Sequence, residues 1–169
     1  MKPFRFCPSC GSELAGADNE GGAHCERCGR SWYRNMSPTV GVGIVRGDKV
    51  LATERARDPE KGKLDVPGGF LGIDEEPLVG LRREVEEELG IQIDVTFDDV
   101  LQMVPHRYGT DGDMVLSIGF KGRWIGGDPR PADDVAAIKW LSLEELDQAD
   151  FAWAHDRALL RRALEDGRH

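Results

Sequence analysis

Three glutamates carry the first chemical signal. Glu84, Glu87 and Glu88 stand at i, i+3 and i+4, a spacing that puts all three on one face of a helix and leaves Glu86 pointing elsewhere. Like charges so placed repel by a few tenths of a kcal/mol per pair. The arrangement makes sense if hard divalent cations sit among them, since Mg²⁺ and Mn²⁺ prefer oxygen ligands. The plainer alternative is a solvated acidic face. Cysteine carries the second signal. Cys7-Pro-Ser-Cys10 and Cys25-Glu-Arg-Cys28 are two CxxC knuckles with 14 residues between them, each followed by a glycine, Gly11 and Gly29. Four thiolates at this spacing close a tetrahedral zinc site. Two disulfides or a redox pair are the alternatives. His24 precedes Cys25 and is read as a bystander, because four sulfurs fill the shell.

The acidic triplet needs a helix to hold it. Pro77 suits a first helical turn and Gly90 a left-handed exit. Between them Leu78, Leu81, Val85 and Leu89 fall on one apolar stripe, to be turned to a core. Residues 1–34 read as a separate zinc ribbon, stabilised largely by its metal. Residues 35–39 read as a linker and 40–169 as the catalytic domain. That domain opens with an alternating strand at Val40–Val45, a hairpin turn at Arg46-Gly-Asp-Lys49, and a return strand over Val50–Glu54. Arg55 and Arg57 follow, placed to reach phosphate oxygens or simply solvated. Further on the spacing predicts a strand with an irregular middle over Ile91–Val104, a loop over His106–Asp113, and a strand over Met114–Phe120. A second loop spans Gly126–Asp134, and a strand follows over Ala136–Leu141. Ser142-Leu-Glu-Glu145 is a capping box for a short helix. Ala154–Leu164 has the periodicity of a terminal helix.

The net charge of −9 over 169 residues disfavours a general binder of nucleic acid or of an anionic membrane. If the substrate carries phosphates, cations must bridge the two. The ribbon alone has Lys2, Arg5, Arg27, Arg30 and Arg34 against Glu13, Asp18, Glu20 and Glu26, a net +1 that is weak for gripping a phosphate backbone. A scaffolding or dimerisation role suits it better. No apolar run reaches the roughly 18 residues of a membrane span, and the first ten residues lack the apolar core of a signal peptide. The expectation is a cytoplasmic protein with metal-binding cysteines rather than disulfides.

The stretch Gly69–Ile91, GFLGIDEEPLVGLRREVEEELGI, matches G-x5-E-x7-R-E-U-x-E-E-x-G-U, where U is apolar, at Gly69, Glu75, Arg83, Glu84, Val85, Glu87, Glu88, Gly90 and Ile91. The chain therefore resembles the Nudix hydrolases, a family that cleaves nucleoside diphosphates linked to another moiety. The resemblance implies an α/β/α sandwich with a mixed sheet over about 40–166. It implies that Glu84, Glu87 and Glu88 bind Mg²⁺ or Mn²⁺, with the Gly69 carbonyl completing the shell. It also implies that Glu75 pairs with Arg83 to hold the loop against the helix. A homodimer is its expectation for assembly.

Pyrophosphate hydrolysis needs an in-line water, charge neutralisation and a base. Family members take the base from the box or from a later loop; here Glu87 is favoured, with Asp133 and Asp134 as later candidates. The ribbon-plus-box layout is similar to the NADH pyrophosphatase group, but residues 92–108 lack that group's SQPWPFP-type motif. Zinc-ribbon relatives acting on FAD and ADP-ribose are similar in layout. Pro105 lies where ADP-ribose enzymes tend to have proline, and Tyr108 where dinucleoside polyphosphate enzymes tend to have tyrosine. Tyr108, Phe151 and Trp153 are candidates to stack on a base, the last two reading more readily as core. The expected activity is metal-dependent hydrolysis of ADP-ribose, FAD or an NAD(H)-like dinucleotide. The alternatives are a nucleotide-pool cleaner acting on oxidised nucleoside triphosphates, or a catalytically silent sensor with the ribbon as partner surface.

Overall fold

In the computed structural model, which describes residues 4–166 apart from 17, 20, 110 and 111, the alternating stretch after Asn35 forms the spine of a mixed sheet. Strand β3 (Ser37–Arg46) turns at Gly47-Asp48 into antiparallel β4 (Lys49–Arg55), as the hairpin signal requires. Val40, Val42 and Ile44 alternate into a core with Leu81, Val85 and Leu89. The intervening glycines face the other way. A Cβ on Gly43 would stand 2.5 Å from the Cβ of Ala163, so glycine is what lets the last helix lie directly on the sheet.

The chain begins with a two-stranded hairpin, β1 (Gly22–His24) and β2 (Ser31–Tyr33). After β4 come β5 (Leu64–Asp65), β6 (Gly68–Phe70), helix α1 (Pro77–Leu89) and β7 (Ile91–Asp94). A 3-10 turn over Phe97–Asp99 leads to β8 (Val100–Tyr108), β9 (Asp113–Gly127) and β10 (Val135–Leu141). Helices α2 (Leu143–Gln148) and α3 (Ala154–Asp166) close the chain. The large sheet runs β10-β4-β3-β9-β7, with β5 added to β4, β6 to β3 and β8 to β9. Only the β3–β9 pairing is parallel among those joining its strands. α1 covers one face. On the other, Leu160 and Leu164 of α3 and Leu146 of α2 pack with Val50, Ala52 and Phe151. The expected α/β/α sandwich is present.

Several boundaries differ from the sequence reading. Ser37–Thr39, read as linker, pair with Val115–Ser117 as the start of β3; Pro38 is accommodated close to the strand's first residue, where a missing N–H is tolerated. His106–Tyr108, read as loop, belong to β8, opposite Val115–Asp113. Gly126 and Gly127 end β9, against β7. β9 is therefore 15 residues long. Lys2 and Glu20 of the ribbon's charge tally, and Thr110 and Asp111 of the β8–β9 loop, lie outside the described residues. Among those described, no helix is long and apolar enough to cross a membrane.

Candidate active site

The acidic helix is set by its ends. The Glu76 carboxylate caps it by accepting from Val79 N at 3.0 Å, Pro77 takes the first turn, and Gly90 leaves in the left-handed conformation at φ 67°. Leu78, Leu81, Val85 and Leu89 are buried. That fixes the rotation of the helix and turns Glu84 and Glu88 toward the Gly68–Gly69 loop, with Glu87 beside Glu84 at the Arg83 guanidinium. Glycine is needed at both loop positions. Gly68 has φ 140°, and a Cβ on it would stand 2.1 Å from the Val40 carbonyl oxygen; a Cβ on Gly69 would stand 2.6 Å from the Glu84 carboxyl carbon. The closeness allows Gly68 N to donate to Glu88 Oε2 at 2.9 Å. The loop before β10 docks on the other end of the helix. There Arg130 N donates to the Leu89 carbonyl at 3.0 Å and Ala132 N to that of Glu88 at 2.9 Å. This docking brings Asp134 beside the glutamates.

Arg83 ties the helix to the loop. Its Nε and Nη2 donate to the two oxygens of Glu75 at 2.7 and 2.9 Å, and its Nη1 donates to Glu84 at 2.8 Å and Glu87 at 3.0 Å. The Arg83 hydrogen bonds, with one from Gly72 N, hold the Glu75 carboxyl down at about 2. Glu88 behaves oppositely. Burial, and then the charges of Asp134, Glu84 and Asp65, push its pKa well above the usual range against a single favourable backbone N–H. Glu84 is raised too, by burial first, with Glu87 and Asp134 adding to it and Arg83 opposing. Glu87 remains half exposed, at 51%.

Beside this acidic wall opens a cavity of about 120 Å³. Phe70 and Trp153 flank Tyr108, the first edge-on and the second stacked at a 21° interplanar angle, each with ring centroids 5.3 Å from it. Arg55 lies over Trp153 at 5.0 Å and donates to Asp65 at 2.5 Å and to the Pro59 carbonyl at 2.7 Å. Deeper in, His106 meets Ser117 at 3.0 Å and His155 at 4.1 Å between ring centroids. Burial lowers the pKa of both histidines, that of His155 to about 4, where His106 adds to the effect.

Residues 36–163 match the NUDIX domain family. The chain belongs to the Nudix family. It is 30% identical over 145 residues to the NAD-capped RNA hydrolase NudC of Pseudomonas aeruginosa, a match covering 84% of this chain and 49% of that protein. The chain thus spans about half the length of the NudC relatives it matches. A Mycobacterium tuberculosis protein provisionally named 8-oxo-dGTP diphosphatase 2 is 34% identical over 114 residues, 66% of this chain and 77% of that one. A NUDIX hydrolase structure from Nitrosomonas europaea superposes with a TM-score of 0.75 at 24% identity, over 98% of this chain and 93% of that one, a likeness of fold.

Glu84 and Glu88 come together at the glycine loop and Glu75 pairs with Arg83, and the donor set fits a hard cation: carboxyls whose pKa values are raised by burial and then by neighbouring carboxylates, beside a loop that admits no side chain. Of the later acids, Asp134 reaches the cavity wall while Asp133 turns outward at φ 49° and pairs with Arg57 at 3.3 Å. Arg55 and Tyr108 line the cavity; Arg57 does not. Phe151 is core as expected, but Trp153 is not and instead forms the cavity's aromatic wall. Phe70, Asp65, His106, His155 and Asp156 escaped the sequence reading. Only Asp65 and Phe70 carried a signal, their closeness to the Gly68–Gly69 pair.

In the ribbon the four cysteine sulfurs lie within 4.8 Å of one another, with Cys7–Cys28 at 3.7 Å and Cys10–Cys25 at 3.6 Å. A tetrahedron with Zn–S of about 2.3 Å has S···S edges of about 3.8 Å, so this set fits zinc. The two knuckles are built alike: Gly11 N donates to the Cys7 carbonyl and Gly29 N to that of Cys25, with φ 72° and 70° at the glycines. The thiols are free rather than disulfide-bonded, and His24 faces Ser31.

Proposed function

We propose that this Nudix chain hydrolyses the pyrophosphate bond of a nucleoside diphosphate joined to another group, with NAD(H)-like dinucleotides, FAD and ADP-ribose as the leading substrates. The observation that carries this reading is the meeting of Glu84, Glu88 and the Gly68–Gly69 loop beside an aromatic-walled cavity, with Glu87 joined to Glu84 through Arg83. Glu84, Glu87 and Glu88, with the Gly69 carbonyl, would hold Mg²⁺ or Mn²⁺. Such a cation, when bound, neutralises phosphate charge and acidifies a bound water.

The remaining work falls to the chain. Half-exposed Glu87 takes the proton of the attacking water, with Asp134, beside Glu84 and Glu88, as the other candidate carboxylate. The Glu75–Arg83 clamp keeps loop and helix at a fixed separation. Arg55 is held by Asp65 and braces the aromatic wall, while Tyr108 supplies a stacking face. Cys7, Cys10, Cys25 and Cys28 hold structural zinc in a unit over 1–34. Its thiolate ligands suit the reducing cytoplasm. The NudC relatives support the NAD-like substrates. The net charge of −9 supports a small nucleotide over a long RNA body.

A second reading, hydrolysis of oxidised nucleoside triphosphates, is favoured by the 34% identity to the M. tuberculosis protein. Turnover of NADH, FAD, ADP-ribose and 8-oxo-dGTP with Mg²⁺ or Mn²⁺, read by product mass, separates the two. The first reading expects mononucleotide products from the dinucleotides. Binding without turnover across the whole set would leave a ligand sensor.

A further inference from the structure

The hydrolase reading uses Arg55 as a brace for the aromatic wall and leaves unexplained why two carboxyls are packed against that brace. Asp65 stands on β5 and Asp156 in the first turn of α3, and both line the cavity. Backbone pairing brings them together. Leu64 N donates to the Asp150 carbonyl at 2.9 Å and Ala152 N to that of Leu64 at 2.8 Å, so the segment entering α3 is laid parallel against β5. Gln102 Nε2 ties the first turn of α3 to β8, donating to the His155 carbonyl at 2.9 Å. Asp156 is only 4% exposed, and the side chains of Arg55 and Asp65 are 14% and 16% exposed.

Charge balance decides the state of the pair. One guanidinium, that of Arg55, stands against two carboxyls, and a buried carboxylate left without a cation is strongly disfavoured. The other titratable groups around the pair supply no positive charge. Burial holds His106 and His155 neutral, the latter with its Nε2 3.2 Å from Asp156 Oδ1, and Glu88 is a further carboxyl. Asp65 has the partners of an anion: Arg55 Nη1 donates to its Oδ2 at 2.5 Å and Val66 N to its Oδ1 at 2.8 Å. The two carboxyls also share a hydrogen bond, which one of them must donate. Burial, then the Asp65 charge and that bond, raise the Asp156 pKa well above the usual carboxyl range. Burial raises Asp65 too, but Arg55, the Val66 N–H and the same bond oppose it. An acid on Asp156 and a carboxylate on Asp65 satisfy every one of these partners.

We infer that Asp156 is a positioning residue for the aromatic wall: it donates its carboxylic O–H to Asp65, which leaves one negative charge for one guanidinium and fixes Arg55 against Tyr108 and Trp153. Arg55 Nη2 donates to the Tyr108 hydroxyl at 3.4 Å, and the guanidinium carbon lies 5.0 Å from the Trp153 ring centroid. An ionised Asp156 would compete with Asp65 for the same guanidinium and draw it away from both rings. The consequence for substrate rests on the nucleotide-hydrolase reading. The wall stacks on a ring of the nucleotide, so the pair acts on binding rather than on the bond-breaking step.

NMR of the full chain, with the aspartate side-chain carboxyl carbons isotopically labelled, reads the proton directly. The resonance missing from Asp156→Asn belongs to Asp156. At neutral pH it is expected at the position of a carboxylic acid, and a carboxylate position overturns the inference. A natural chain with every aspartate ionised overturns it without any variant. KM and kcat are measured in parallel with Mg²⁺ for the best turned over of NADH, FAD and ADP-ribose. Asp156→Asn keeps an N–H to donate to Asp65 and should hold KM within about twofold, whereas Asp156→Leu should raise KM roughly tenfold with a smaller change in kcat. A KM that is the same in the two variants, raised or not, overturns the positioning role. If Asp156→Leu does not fold, the Asp156 resonance and the KM of Asp156→Asn decide. An acid resonance in a natural chain that turns over none of the three nucleotides supports the proton pair and sinks the hydrolase reading alone.

Discussion

The ribbon and the sandwich both gather like-charged ligand atoms, but they place them differently with respect to their cores. In the ribbon the ligands are the core: Cys7 and Cys25 are half of a buried set completed by Leu14 and Ala23, with Phe4, Cys10 and Trp32 against it. In the sandwich the ligands ride on a helix whose opposite stripe, Leu78, Leu81, Val85 and Leu89, is anchored in a separate apolar core. Fully burying such a side chain contributes about 1.5–3 kcal/mol, so that helix stands without its cations. On the proposed reading, one region needs metal in order to fold, and the other folds first and can then take metal.

The sharpest break of this contrast would come from Glu87→Gln. Turnover should fall by about 10²–10⁴-fold while circular dichroism, melting temperature and zinc content hold. Near-normal turnover would remove Glu87 from the box's chemistry. The mirror experiment is Cys10→Ser. Zinc should be lost and hydrogen-exchange protection should vanish from β1 and β2 while β3 and β9 keep theirs. Loss of protection in β3 as well would show the two regions fold as one, coupled through contacts such as the 3.1 Å Arg34–Asp113 ion pair.

Leu81→Ala tests the opposite side of the comparison. It should cost about 2–5 kcal/mol in denaturant unfolding of the sandwich and leave zinc content unchanged. An effect below about 1 kcal/mol would mean that the helix is anchored elsewhere.

The smallest effect concerns Glu88. Its folded pKa lies above the ordinary 4.5, so the folded state holds the proton more tightly than the unfolded chain. Its favourable contribution is complete below that value and is lost as pH rises through the folded pKa. Without divalent cations, the natural chain should therefore lose stability relative to Glu88→Gln as pH climbs from 4.5, by at most about 1.4 kcal/mol per pH unit. Mg²⁺ should restore the difference at neutral pH. A pH-independent difference between the two melting curves would contradict this account.

How much was legible in advance depended on whether the cause was local. Pro77, Gly90 and the leucine stripe announce α1, and Ser142 with Glu145 announces α2, because capping and helical periodicity act within one or two turns. The expected strand over Met114–Phe120 is only the middle of β9, which runs through Gly122 and Gly126 to Gly127. Two of its glycines are packing positions: a Cβ on Gly119 would stand 2.8 Å from Leu159 and one on Gly122 2.7 Å from Val42. Trp153 read as core alongside Phe151, which is core. The turn into α3 separates them and sends Trp153 to Tyr108.

The chain's local order by itself determined the spacing of the glutamates on one helical face, the glycines that let a loop approach them, and the paired knuckles of the ribbon, since each depends on residues a few positions apart. Tertiary packing alone decided which later acid joins the glutamates, that Arg55 is bound to Asp65 rather than free, and that Asp156 of α3 comes to lie beside Asp65 in the cavity lining. These outcomes depend on where α3 and the loop before β10 settle against the sheet. That is set by volume and shape complementarity between distant segments, which no spacing along the chain encodes.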